Sequence, residues 1–70
     1  MSPHEFIQAS KLFGGPERAA LMIKLSSMPD LRQVAAEAED EADQLICSDA
    51  NVPIHARLMY LAMWAKRRVK

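Results

Sequence analysis

The sequence contains a single cysteine and no motif for binding a structural metal. Cys47 therefore has no partner for an intrachain disulfide, and a reducing compartment is the simpler interpretation. A chain of 70 residues forms one domain, residues 1–70, and a domain of this size buries only about 60% of its unfolded surface. Half of the residues are nevertheless hydrophobic. Because disulfides and metals are missing, the sequence favours association with another chain as the additional source of stability.

A long apolar run is also missing. The longest one, LMYLAMWA at residues 58–65, is far shorter than the ~20 residues needed to span a bilayer. The first ten residues, MSPHEFIQAS, lack the basic start and apolar segment of a signal peptide. We therefore expect a cytoplasmic protein that does not enter the membrane.

Motifs for catalysis or for a cofactor are not found. His4 and His55 are far apart, and no Cys or His lies at the spacing of zinc ligands. The Gly14–Pro16 segment lacks the spacing and the lysine of a phosphate-binding loop. The acidic run at residues 37–44 lies on one predicted helix, which cannot supply the oxygens that a hard cation takes. We predict a protein that is not an enzyme and has no cofactor or metal, with Cys47 as a small buried residue.

Net charge is zero, but the charges are sorted along the chain. Residues 1–32 carry four cations and three anions, residues 33–56 six anions and no cation, and residues 57–70 five cations and no anion. A neutral total argues against general attraction to nucleic acid. The sorting indicates a surface with an acidic and a basic side.

Helical spacing recurs in four segments, and no segment shows the alternation of a strand. Ser2, Pro3 and Glu5 resemble a helix start with a capping box, and Gly14-Gly15 ends the first helix. Pro16 opens a second helix that is apolar on most sides, as in a central helix. The apolar residues of the first predicted helix are Phe6, Ile7, Ala9, Leu12 and Phe13. Those of the second are Ala19, Ala20, Leu21, Met22, Ile23 and Leu25.

The third predicted helix has the clearest pattern. It starts near Ser27, Pro29 and Asp30 and carries an apolar stripe opposite an acidic side. The stripe is Leu31, Val34, Ala35, Ala38, Ala42, Leu45 and Ile46. Residues 48–51 break the pattern, and Pro53 begins a fourth helix that continues to the C-terminus. We predict an all-α fold, a small compact bundle of about four short helices, and we expect it to be dimeric.

The fourth helix carries more apolar surface than packing requires. Its core side is predicted to be Ile54, Leu58, Leu61, Ala62, Ala65 and Val69, at 100° per residue. The remaining sides combine methionines, the only Tyr, the only Trp and cations, a composition typical of protein interfaces. The predicted partner-binding residues are Arg57, Met59, Tyr60, Met63, Trp64, Lys66, Arg67 and Arg68.

We therefore predict a helical protein–protein interaction module. It would bind a larger protein partner, and mask, inhibit or stabilise it, through its C-terminal helix. The same helix could also form the contact of a homodimer, with the acidic side of helix three meeting the basic end of helix four.

Three other interpretations use the same residues. Helix four could be a central helix covered on all sides, although its cations disfavour full burial. A helix-turn-helix could place helix four on DNA with KRRVK at residues 66–70 on phosphates, although its outward side offers few groups that read base edges. A membrane-surface helix is disfavoured by the acidic helix beside it.

Overall fold

The computed structural model describes residues 2–27 and 30–69 and consists of four α-helices joined by short connections. Helix α1 spans Pro3–Leu12, α2 Gly15–Leu25, α3 Leu31–Gln44 and α4 Val52–Arg68, with a short 3-10 turn at Asp49–Asn51 before α4. No strand occurs in these two ranges. The predicted all-α bundle of four short helices is confirmed.

The first two helix starts follow from local chemistry. The Ser2 side chain accepts a hydrogen bond from the backbone N–H of Glu5 at 3.2 Å, as the predicted cap requires, and Pro3 occupies the first turn. Helix α1 ends at Leu12, before the glycines. Gly14 instead caps α2, and Gly15 adopts φ +59, a left-handed conformation that glycine adopts without steric strain.

The start of α3 differs from the prediction. Asp30 is its N-cap, whereas Ser27 belongs to the turn after α2 and its hydroxyl donates to the carbonyl of Lys24. Pro29 lies outside the described residues. The serine therefore satisfies a C-terminal carbonyl of the preceding helix instead of opening the next one.

Helices α3 and α4 form the main packing unit of the fold and make its most extensive contact. Val69, directly after the end of α4, lines one surface cavity together with Arg32, near the start of α3. Val52, at the start of α4, lines a different cavity together with Ala42, near the end of α3. The two helices therefore run antiparallel. Alanines on both helices permit close approach of the backbones. The buried residues of the pair are Val34, Ala35, Ala38, Ala42, Leu58, Leu61, Ala62 and Ala65, all predicted core positions.

Helices α1 and α2 cover this pair to different extents. Phe6 and Ile7 of α1 are fully buried, and α1 contacts both α3 and α4. In α2 only Leu21 and Leu25, one turn apart, enter the core, and Ile23 is 73% exposed. The prediction that α2 is the central helix is wrong. A chain this small has too few side chains to cover a helix on every side, and the α3–α4 pair takes the central position.

Three further apolar positions lie outside the core. The chain becomes extended at Leu45 (φ −68, ψ 135), so α3 ends at Gln44, two residues before the predicted stripe does. This turn leaves Ile46 and Cys47 exposed, and the predicted burial of Cys47 is wrong. Leu12, at the end of α1, is 80% exposed, because α1 ends there and only its Phe6–Ile7 side meets the α3–α4 pair.

Ser10 is a polar residue inside this apolar core. It is 1% exposed, and its Oγ has no hydrogen-bond partner among the described residues. Replacing Ser10 with alanine is expected to raise the free energy of unfolding by about 1 kcal/mol, because a buried unpaired hydroxyl is removed and alanine favours the helix. Urea unfolding of the variant measures this change.

The matched control is Ser26→Ala, which removes an exposed hydroxyl that donates to the carbonyl of Ile23 at 2.6 Å. This control should change the free energy of unfolding by no more than about 0.5 kcal/mol. A Ser10→Ala protein less stable than the wild type would mean that the Ser10 hydroxyl has a stabilising partner.

Candidate interaction surface

Helix α4 has one buried and one exposed side, and the predicted contact residues are divided between them. Tyr60 and Met63 are 56% and 51% exposed. Trp64 is half-buried, as is Met59, and both pack against the core. The exposed centre of this side therefore consists of Tyr60 and Met63, with Trp64 at its edge.

A groove between α2 and α4 continues this exposed side. Its volume is about 450 Å³, and its lining is Gly15, Arg18, Ala19, Met22, Ile23, Tyr60 and Trp64. The lining is mainly apolar. It consists of large side chains of α4 and of α2 side chains that the core does not cover. Sequence reasoning missed the α2 residues of this groove. The signal was present, because α2 is apolar on more sides than a peripheral helix can bury.

Arg18 lies at the Gly15 end of the groove. Its guanidinium carbon is 5.5 Å from the centre of the Tyr60 ring, and its Nη2 donates to the carbonyl of Arg57 at 2.6 Å. Burial, and next the charge of Arg57, lower the pKa of Arg18 from its usual value. Its Nε is buried and has no acceptor among the described residues. Arg18 is thus a partly desolvated cation with an unused donor.

Arg57 is directed into the molecule, although it was predicted as a partner-binding residue. It is half-buried, and its Nη1 donates to the carbonyl of Lys11 at 3.1 Å. This carbonyl lies in the last turn of α1 and has no partner within the helix. A Cβ at Gly14 would lie 3.4 Å from Nη2 of Arg57, so the guanidinium packs against the α1–α2 turn. Arg57 therefore joins α4 to α1.

Replacing Arg57 with alanine is expected to lower the free energy of unfolding by about 1–2 kcal/mol, since a charged donor to a helix C-terminus is lost. Arg67→Ala is the control, because Arg67 is exposed on the same helix, and its effect should stay below about 0.5 kcal/mol. Chemical unfolding of both proteins gives the comparison. Equal stability of the two variants would contradict the structural role of Arg57.

The cations at the end of α4 are directed to different sides. The guanidinium carbon of Arg68 lies 3.7 Å from the centre of the Trp64 ring, so Arg68 borders the groove. Lys66 instead forms an ion pair with Glu39 of α3, on the opposite edge of α4. Arg67 is exposed. Of the predicted cations, Arg68 is therefore the one that the structure brings to the groove together with Trp64.

The acidic side of α3 is partly neutralised within the chain. Lys11 and Lys66 form ion pairs with Glu41 and Glu39, and the Gln8 amide donates to Glu41 at 2.8 Å. The described residues contain no group of three His, Cys, Asp or Glu side chains that could hold a metal ion. The arrangement is that of a solvated helix surface tied to α1 and α4.

The antiparallel pairing of α3 and α4 bears on the helix-turn-helix interpretation. In that motif the two helices meet at about 90–120°. Here Lys66, near the end of α4, contacts Glu39 in α3, and the helices adjoin at both ends. This geometry is that of a helical hairpin.

Comparisons with protein-family models, with curated proteins and with solved structures gave no match to this chain. Within residues 2–27 and 30–69, no helix combines the length and apolar character needed to cross a membrane.

Proposed function

We propose that this chain is a protein-binding module that holds a larger protein through the exposed side of α4 and the adjoining groove. The observation that carries the proposal is that Tyr60, Met63 and Ile23 are exposed beside Trp64. The core does not need these side chains, because the opposite side of α4 already supplies its buried residues. These side chains would lose water contact on association and so favour binding.

The composition of this surface supports a protein partner. Aromatic side chains, methionine and arginine are the residue types enriched at protein interfaces, and Tyr, Trp and Arg dominate their binding energy. Methionine adapts its shape to a partner. The module would act by covering or stabilising the surface that it binds. This mode of action requires no catalytic group.

Self-association is a second candidate, favoured by exposed charges of opposite sign. Asp40 and Asp43 are exposed on α3, and Arg67 is exposed on α4. A two-fold axis that placed α3 of one copy against α4 of the other would bring them together. Analytical ultracentrifugation at low and high salt tests this arrangement, since a dimer of this kind should dissociate as salt rises. A salt-independent monomer would rule it out.

Affinity capture from native lysate tests the main proposal. A tag at the N-terminus leaves α4 free, and half of the sample is treated with nuclease. We expect a protein that is recovered regardless of nuclease treatment. Recovery of nucleic acid, or of proteins lost with nuclease, would instead support the DNA-binding alternative, in which Arg67 and Arg68 contact phosphates. Recovery of no protein would contradict the proposal.

A further inference from the structure

The groove between α2 and α4 has cations at both ends, and none of the carboxylates in residues 2–27 and 30–69 pairs with them. Arg18 and Arg57 lie together at the Gly15 end, and Arg68 lies on Trp64 at the other. Within the described residues, none of these three arginines forms an ion pair with a carboxylate. The ion pairs that do occur use the lysines and His4 on the α3 side.

The missing counterion matters most for Arg18. Its Nε is buried without an acceptor, and the charge of Arg57 is close enough to lower its pKa. Buried donors in folded proteins normally have partners, and two guanidiniums side by side repel each other. A carboxylate from outside the chain would reduce this repulsion.

Between the charged ends, the groove is lined by apolar residues of two helices, among them Met22, Ile23 and Tyr60. A groove of this kind is the usual receptor for an amphipathic helix, which inserts side chains spaced three and four residues apart. The α2 lining of the groove extends from Gly15 to Ile23, which is about 12 Å along a helix axis. A partner helix would therefore lie in the groove over slightly more than two of its turns.

We propose that this groove receives an amphipathic helix of the protein partner that carries carboxylates beside its apolar stripe. The carboxylates contact Arg18 at one end and Arg68 at the other, and the apolar stripe covers Ile23, Tyr60 and Trp64. This inference rests on the proposed function and specifies the chemistry of the partner.

A second copy of this chain does not fit the groove. A two-fold contact of groove against groove would bring the arginines of both copies together, where like charges repel. The acidic helix α3 has its apolar stripe buried in its own core, with Val34, Ala35, Ala38 and Ala42 between 0% and 4% exposed. Within α3 the one exposed apolar residue is Ala36, so this helix offers no large apolar side chain that a neighbouring groove could bind.

Single-stranded nucleic acid is also disfavoured, although it too binds cationic and aromatic grooves. Its bases stack on free aromatic faces. Here a guanidinium covers one face of Tyr60 and one face of Trp64, and Trp64 also packs against the core.

Selection from a displayed library of random peptides of about 16 residues tests the inference without assuming a sequence. We expect enriched peptides with apolar residues at helical spacing and an excess of Asp and Glu. Binding should change the fluorescence of Trp64, the only tryptophan. Replacing the acidic residues of a selected peptide by Gln or Asn should weaken binding about tenfold.

Variants of the protein locate the contact. Arg68→Gln and Arg18→Gln should each weaken peptide binding about five- to tenfold. The matched control Lys24→Gln, which removes an exposed cation of α2 outside the groove lining, should leave it unchanged. Arg68 is exposed, so its variant remains informative even if Arg18→Gln lowers stability.

Several results would overturn the inference: no enriched peptide, peptides without an acidic excess, equal binding by Arg68→Gln, or displacement of the peptide by a single-stranded oligonucleotide. Failure of the inference can be told apart from failure of the proposed function. If lysate capture depends on Met63 but not on Arg18 or Arg68, the module binds a protein and the acidic-helix inference is wrong. If lysate capture fails altogether, the proposed function itself is wrong.

Discussion

Leu61→Ala is expected to lower the free energy of unfolding by about 3 kcal/mol, because Leu61 is 0% exposed and belongs to the hydrophobic core. A domain of this length has a total of only about 4–10 kcal/mol, so the loss is a large fraction. The thermal midpoint should fall by about 12–24 °C. Circular dichroism during heating measures the shift.

The control for this prediction is Leu12→Ala, the same substitution at a leucine that is 80% exposed. It should change the free energy of unfolding by no more than about 0.5 kcal/mol. If the two variants unfolded at the same temperature, Leu61 could not belong to the core.

Met63→Asp is expected to abolish binding of the protein partner while the helical content stays at the wild-type level. Met63 is 51% exposed, so the new carboxylate remains in water in the free protein. In a complex the same carboxylate would be buried in an apolar contact without a counterion, at a cost of several kcal/mol. We expect affinity to fall at least a hundredfold. Titration calorimetry with the captured partner, beside circular dichroism, measures both quantities.

The matched control is Ile46→Asp, which places the same charge at an exposed apolar residue in the α3–α4 connection. This variant should bind as the wild type does. If Met63→Asp unfolded, the side of α4 that carries Met63 would belong to the core. If it folded and still bound the partner, the contact would lie elsewhere on the molecule.

The fold was largely predictable because its elements follow from local rules. Ser2 and Pro3 mark the start of α1, and alanines at spacings of three and four mark the buried side of α3. The same periodicity identified Leu58, Leu61, Ala62 and Ala65 of α4, all of them buried. Each of these signals depends on residues within one or two turns of each other.

The tertiary position of α2 was not predictable in this way. A run of apolar residues shows that a helix can be buried on several sides. Which helix of the bundle is buried in this way depends on how all the helices pack together. The pair α3–α4 makes the most extensive contact of the fold, and α2 lies at the periphery with Ile23 exposed. The end of α3 was missed because Leu45 turns the chain before the apolar pattern stops.

The candidate surface was predictable in part for the same reason. Tyr60, Met63 and Trp64 were identified because one helix carried more apolar residues than its core side needs. The contribution of Arg18 and Ile23 depends on α2 lying beside α4, which no local pattern specifies. Arg57 was predicted to bind the partner, yet the length of its side chain lets it reach the carbonyl of Lys11 in α1 and act within the fold.

The most direct test of the central claim is photocrosslinking in native cells or lysate. A photoreactive phenylalanine derivative replaces Tyr60 in one protein and Leu12, which is also exposed, in another. The proposed function predicts a protein adduct at position 60 that persists after nuclease treatment, and none at position 12. Adducts at position 12 alone, or equal adducts at both positions, would contradict the assignment of the contact to α4.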